Sequence, residues 1–293
     1  HEIETTYLTG GLTWAADYVV RLNQAEDAMD LEGWVTLTNQ SGATYRNAQL
    51  KVVAGEVNVV SRDQDMDMAL TGVMSGGGGV MIPSMREETF AEYHLYTLPR
   101  RTTIQQNESK QVSLLGANGI GVKKEYEFRG NEQFYFGPLA PQPEQHLQVY
   151  LKFLNSEQNH LGMPLPAGTM RVYQEDSEGM LQFSGEDRTQ HTPKDEDVRL
   201  RLGEAFDVMG ERKQTDFQQI ADDVTESGFE IKVRNHKKTA ITADIVEPFS
   251  GDWTILSNSH DYTKKDARTA VFSVPVPPDG EVVVTYRVRT KSG

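Results

Sequence analysis

Leu31-Glu32-Gly33-Trp34-Val35-Thr36-Leu37 decides the fold, because its apolar residues recur at every second position. Leu31, Gly33, Val35 and Leu37 share one face, and Glu32, Trp34 and Thr36 share the other. A period of two is the signature of a strand with one side on a core and the other in water. The same alternation places Leu50, Val52 and Ala54 opposite Lys51 and Val53, and Val149, Leu151 and Phe153 opposite Tyr150 and Lys152. Near the end, Val282, Val284, Tyr286 and Val288 alternate with Glu281, Thr285, Arg287 and Arg289. No stretch holds apolar residues at i, i+3, i+4 and i+7 over three turns, so helix is scarce. Only Ser84-Met85-Arg86-Glu87 has the spacing of a helix-opening capping box.

Turn chemistry agrees with many short strands. Residues 39–42 (Asn-Gln-Ser-Gly), 176–179 (Asp-Ser-Glu-Gly) and 278–280 (Pro-Asp-Gly) each separate two alternating runs and are expected to close hairpins. Pro275, Pro277 and Pro278 cannot donate to a ladder and belong at a strand end or sheet edge. The expectation is an all-β protein of two β-sandwich-like domains with little helix. The polar stretch 155–160, followed by Gly162, Pro164 and Pro166, places a boundary near residue 160. That gives domains 1–160 and 161–293, the first carrying a Gly/Met-rich insertion at 61–84. Four consecutive glycines (76–79) and five methionines from Met66 to Met85 read there as a surface insertion.

Composition excludes several function classes. The 293 residues include 43 Asp plus Glu against 29 Lys plus Arg, a net charge of −14, and no cysteine. Thiolate metal sites, disulfides and cysteine nucleophiles are therefore impossible. The acidic balance argues against nucleic acid as a partner. No apolar run reaches the ~18 residues of a transmembrane helix. The chain opens on His1 with a strand-like run almost at once, and reads as a piece of a longer protein.

Catalytic signatures fail one by one. Ser75 lacks the glycine two residues before it that a nucleophile elbow needs. Gly119-Ile120-Gly121 does not complete a dinucleotide fingerprint. Asp63, Asp65 and Asp67 begin like a calcium loop, but Met68 and Met74 occupy the glycine and glutamate positions. No two of the seven histidines have local metal-ligand spacing, and no metal or other cofactor is expected. Two constellations remain. Asp187, His191, Glu211, Arg212 and His236 combine carboxylates, histidines and a guanidinium, the ingredients of an acid–base cluster. Trp14, Trp34 and Trp253 could form a stacking platform for sugar rings.

Several longer motifs stand out beyond these. They are Tyr7-Leu8-Thr9-Gly10-Gly11-Leu12-Thr13-Trp14-Ala15-Ala16-Asp17-Tyr18, Gly33-Trp34-Val35-Thr36-Leu37-Thr38-Asn39, Val53-Ala54-Gly55-Glu56-Val57-Asn58 and Tyr93-His94-Leu95-Tyr96-Thr97-Leu98-Pro99. The second half adds Pro164-Leu165-Pro166-Ala167-Gly168, Phe206-Asp207-Val208-Met209-Gly210-Glu211-Arg212 and Arg234-Asn235-His236. As a set they resemble a bacterial domain of unknown function found in the C-terminal part of mucoidy-inhibitor-A-like proteins. The resemblance implies a mostly β, extracytoplasmic domain, in the periplasm or cell envelope, and brings no assigned reaction. The function expected is a non-catalytic envelope module binding a protein or a glycan. The alternatives are a hydrolase or metal-dependent enzyme using the polar cluster, and a scaffold contacting its partner through residues 61–84.

Overall fold

The computed structural model describes residues 3–55 and 85–291, so the insertion at 61–84 lies outside the described residues. The chain is all-β. Strands β1 (Leu12–Leu22), β2 (Ala28–Asn39), β3 (Tyr45–Ala48), β4 (Lys51–Ala54), β5 (Arg86–Phe90), β6 (Tyr93–Thr97), β7 (Thr102–Ile104) and β8 (Glu108–Gly121) come first. They are followed by β9 (Lys123–Arg129), β10 (Gln145–Leu154), β11 (Gly168–Glu175) and β12 (Leu181–Thr189). The rest are β13 (Asp197–Ala221), β14 (Val224–Asn235), β15 (Ile241–Pro248), β16 (Asp252–Asn258), β17 (Thr263–Asp266), β18 (Thr269–Val276) and β19 (Gly280–Lys291). Among the described residues, helix is limited to the short 3-10 segments Glu132–Tyr135 and Glu157–Asn159. Arg86 and Glu87 belong to strand β5 instead of the helical turn expected there.

Two compact units form, and they are not the consecutive halves 1–160 and 161–293. Unit 1 is His1–Gly121 with Phe153–Val198, and unit 2 is Val122–Lys152 with Arg199–Gly293. Residues 123–152 and 153–198 exchange places because β9 and β10 pair within the second unit's sheet, while β11 runs parallel beside β1. The polar stretch near residue 160 is thus an internal loop of unit 1.

Unit 1 has a five-stranded sheet, β12-β11-β1-β2-β8, with the smaller sheets β4-β6-β5 and β3-β7. The founding alternation is borne out, since Leu31, Val35 and Leu37 are buried. Tyr18, Val20, Leu114 and Tyr96 are buried in the same unit. Both buried tyrosines hold the segment that enters β11. The Tyr18 hydroxyl donates to the Pro166 carbonyl and the Tyr96 hydroxyl to that of Pro164, each at 2.8 Å. Gly168 follows because a Cβ there would strike the Ala16 carbonyl oxygen.

Unit 2 is one nine-stranded sheet, β16-β19-β14-β13-β10-β9-β15-β18-β17. It folds over itself: β18 and β19 lie near opposite ends of that order, yet Phe272 and Tyr286 stack with ring centroids 5.3 Å apart. Seven aromatic rings close a circuit through this core, Tyr135–Phe229–Tyr286–Phe272–Tyr262–Trp253–Phe249 and back to Tyr135, with centroid separations of 4.7 to 6.1 Å. Such contacts add about 0.5–1.5 kcal/mol each beyond their buried area.

Of the three expected hairpins, only 176–179 joins hydrogen-bonded neighbours, β11 and β12. Asp176 closes it by accepting from the backbone N–H groups of Glu178 and Met180, both at 2.9 Å. The turns at 39–42 and 278–280 are arches that carry the chain to another sheet or to the far end of the same one. A buried asparagine ties each arch. Asn39 Nδ2 donates to the carbonyls of Ala43 (2.8 Å) and Gln105 (2.9 Å), and its Oδ1 accepts from Ser41 N–H (3.1 Å). Asn235 donates to Thr239 (2.9 Å) and Pro277 (3.0 Å) and accepts from Lys237 N–H (3.0 Å). Asn155 repeats the pattern just past β10, donating to Met163 and Pro193 (both 2.9 Å) and accepting from Gly162 N–H (3.1 Å). The side-chain amide does here what a hairpin ladder does elsewhere, satisfying backbone groups that leave the sheet.

Candidate binding site in the second unit

Period two places Arg212 indoors. In β13, Val208, Gly210 and Arg212 share the core-facing parity, and Arg212 is 4% exposed. In β15 the same parity runs Ile241, Ala243, Ile245 and then Glu247, which is 0% exposed. The two ends meet. Arg212 Nη2 donates to Glu247 Oε1, and the Tyr135 hydroxyl donates to Glu247 Oε2 at 2.6 Å. The Tyr286 hydroxyl lies 2.9 Å from that of Tyr135, within hydrogen-bond distance of it. The polar group is therefore built into the aromatic circuit at Tyr135 and Tyr286.

Two rings complete the setting. The Arg212 guanidinium carbon lies 4.8 Å from the Phe128 centroid and 5.2 Å from that of Phe134, within cation–π range. Phe134 and Tyr135 are fixed by their own segment: Asn131 caps it by accepting from Gln133 N–H, Gln214 Oε1 accepts from Leu139 N–H, and the Thr225 hydroxyl donates to the Tyr135 carbonyl. Gly210 makes room for Phe128, whose ring a Cβ would approach to 2.6 Å.

Above the pair opens a pocket of about 210 Å³, lined by Phe128, Phe134, Arg129, Asn131, Gln145 and Arg212 among others. Arg212 Nε is buried and has no hydrogen-bond partner among the described residues. Gly130, also in the lining, keeps the pair in place by its lack of a side chain. A Cβ there would sit 2.5 Å from Glu247 Oε2 and 3.2 Å from Arg212 Nη2. Gly130→Ala should accordingly lower the unfolding free energy by about 1–3 kcal/mol through overpacking. Gly137→Ala, whose Cβ meets nothing within 4 Å, serves as the neutral control in the same urea titration.

The ionisation states are fixed. Burial raises the Tyr135 and Tyr286 phenols well above their ordinary range, and the Glu247 charge adds to the shift. For Arg212 burial pulls the other way, but Glu247 and the other partners outweigh it and hold the guanidinium above its usual value. Arg212, Tyr135 and Tyr286 all stay protonated at any physiological pH.

The other residues expected at a site divide between the two units. Asp187 and His191 belong to unit 1, while Glu211, Arg212 and His236 belong to unit 2. Asp187 Oδ1 accepts from Arg188 N–H at 2.8 Å. His191 Nδ1 accepts from Ala167 N–H at 3.1 Å, helping to hold the Pro164–Gly168 segment. Glu211 takes the opposite face of β13 from Arg212. There Glu144 leads in raising the pKa of Arg234, and the Glu211 charge adds to it. His236 is exposed, with its backbone N–H donating to the Asp207 carbonyl at 2.8 Å.

Among the tryptophans, Trp14 pairs with Leu37 on the core face of the first sheet, and Trp34 pairs with Asp17 on the other face. Trp253 belongs to unit 2, where its indole N–H donates to the Ala267 carbonyl at 2.9 Å and its ring stacks on Phe249. Within the first sheet, Trp14 and Trp34 therefore lie on opposite faces. Among the described residues, no three His, Asp or Glu side chains are placed to hold a metal ion.

Sequence reasoning missed Glu247, Tyr135 and Tyr286 as partners of Arg212. The signal was present in part, since a glutamate and an arginine at core parity in two strands need each other once buried.

A family model described as "Domain of unknown function (DUF4139)" matches residues 3–292, nearly the whole chain. The chain belongs to the DUF4139 family. No curated protein matches it. Within this DUF4139 domain, the motif 206–212 supplies the buried arginine, and the motif 234–236 supplies the asparagine of one arch. No helix among the described residues is long and apolar enough to cross a membrane.

Proposed function

We propose that this chain is a non-catalytic binding module of the bacterial cell envelope, recognising a protein or glycan partner through the pocket over Arg212. One observation carries the reading: a guanidinium 4% exposed lines a pocket while its Nε–H has no acceptor among the described residues. A buried donor without a partner costs about 1–3 kcal/mol, and a bound acceptor group would recover that loss. The fixed protonation of Arg212, Tyr135 and Tyr286 supports binding over catalysis, because general acid–base work needs a group that titrates near the working pH. The envelope setting and the kinship with mucoidy-inhibitor-A-like proteins rest on the motif resemblance.

The test is an NMR titration of the full chain with blocked dipeptides and with monosaccharides, followed by mass spectrometry of the recovered probes. Binding at this pocket should move the backbone resonances of Gly130, Asn131 and Gln145 and return every probe unchanged. A hydrolysed probe, or shifts confined to residues away from the pocket, would overturn the reading.

A further inference from the structure

We infer that the group entering the pocket over Arg212 is a carboxylate. This rests on the pocket being the binding site and adds the chemistry of what enters it.

The argument is a balance of donors and acceptors. Arg212 Nη2 is committed to Glu247, which leaves the Nε–H unpartnered. Asn131 uses one lone pair of its side-chain oxygen on Gln133 N–H at 2.9 Å and keeps both donors of its NH2 group. Arg129 lies 3.6 Å from Glu127, beyond hydrogen-bond reach, and is half exposed. Glu127 is held more closely by Arg199, at 2.8 Å, so the exposed Arg129 ion pair is the weaker of the two and costs little to exchange for a ligand. Beside these donors, Gln142 gives one N–H to the Ala140 carbonyl at 2.9 Å and keeps the other with its oxygen, and Gln145 adds a second amide of both kinds. Among the described residues, no Asp or Glu lines the pocket.

A hydroxyl or a primary amide would bring its own donors into a lining already rich in them. A carboxylate brings acceptors alone, and its bonds to guanidinium groups are charge-assisted. The pocket of about 210 Å³ suits one such group on a short stem or a single sugar ring. An acidic side chain of a protein and an acidic sugar present the same chemistry, and both are tested.

The probes are N-acetylglutamate and glucuronate, with their uncharged esters as controls, titrated into the full chain while the Arg212 Nε–H resonance is followed. Both acids, or one of them, should move this resonance and saturate, with the esters at least about tenfold weaker. Preference for N-acetylglutamate assigns a protein source, and preference for glucuronate a glycan source. Arg129→Gln, at a half-exposed position, should weaken the acids about tenfold with Tm unchanged. Esters that match the acids would overturn the carboxylate while leaving the pocket as a binding site, as would inorganic phosphate binding in place of both acids. If no probe moves Arg212, or if Arg129→Gln changes nothing, the inference fails. If, in addition, the dipeptide and sugar panel leaves Gly130, Asn131 and Gln145 unmoved, the proposed function fails with it.

Discussion

Glu247→Leu is expected to lower the unfolding free energy by about 3–5 kcal/mol, because it strands a buried guanidinium. Arg212 would keep its two aromatic neighbours but lose its counter-charge, and Tyr135 would lose the acceptor of its 2.6 Å hydrogen bond. The cost comes from the partner left behind. For that reason the double variant Arg212→Met with Glu247→Leu should recover most of the loss, since apolar residues of similar size often replace a buried ion pair without penalty. Urea unfolding of the full chain measures the change, and amide exchange in β14 and β19 assigns it to unit 2. A double variant no more stable than Glu247→Leu would show that the pair is valued for more than its mutual compensation. A single variant losing less than about 1 kcal/mol would show that water reaches the guanidinium and screens it. The double variant also separates stability from binding: it should fold and yet fail to bind either acid probe.

The second large effect is expected at the arches. Asn235→Ala removes two good donations, to Thr239 and Pro277, and one acceptance, from Lys237 N–H. With each orphaned buried group costing about 1–3 kcal/mol, a total near 2–4 kcal/mol follows once local relaxation is allowed. Asn235→Asp should be worse at neutral pH, although it is nearly isosteric. A carboxylate facing two carbonyl oxygens is repelled where the amide was held. Its folded-state pKa would be raised above that of the unfolded chain, so the penalty is fully present above the folded value. The penalty shrinks as pH falls through that value, because the protonated carboxyl donates again. Asn39 and Asn155 should behave alike within unit 1, given their matching geometry. Thermal unfolding of the Ala and Asp variants at pH 7 and pH 4 checks the order. An Asp variant as stable as wild type at pH 7 would mean that these asparagines do not carry the arches.

The three asparagines also show where sequence reading stops. Each ends an alternating run: Thr36-Leu37-Thr38-Asn39, Lys152-Phe153-Leu154-Asn155 and Lys232-Val233-Arg234-Asn235. Their spacing is unequal, so no fixed-period repeat is visible, and Asn-Gln-Ser-Gly reads locally as a hairpin turn. Whether the next strand returns as a neighbour or crosses to another layer depends on distant contacts, such as that of Asn39 with Gln105, 66 residues along the chain. The expected boundary near residue 160 failed for the same reason. Local composition marks a loop, but the pairing of β9, β10 and β11 decides which unit a segment joins.

By itself, the sequence determined the fold class and which residues face inward. Alternation is a property of neighbours along one strand, and it needs no partner to be read. Neither Arg212 nor Glu247 falls in an alternating run that the sequence reading singled out, and their inward faces became visible only with the strands β13 and β15. Tertiary structure alone decided that they meet, that Tyr135 and Tyr286 close the network, and that a pocket opens above it. It also assigned Asp187 and His191 to one unit and Glu211 and His236 to the other, although linear order had gathered them into one half of the chain. Strand order is set by long-range burial and pairing, and one strand's pattern carries no record of which other strand completes it.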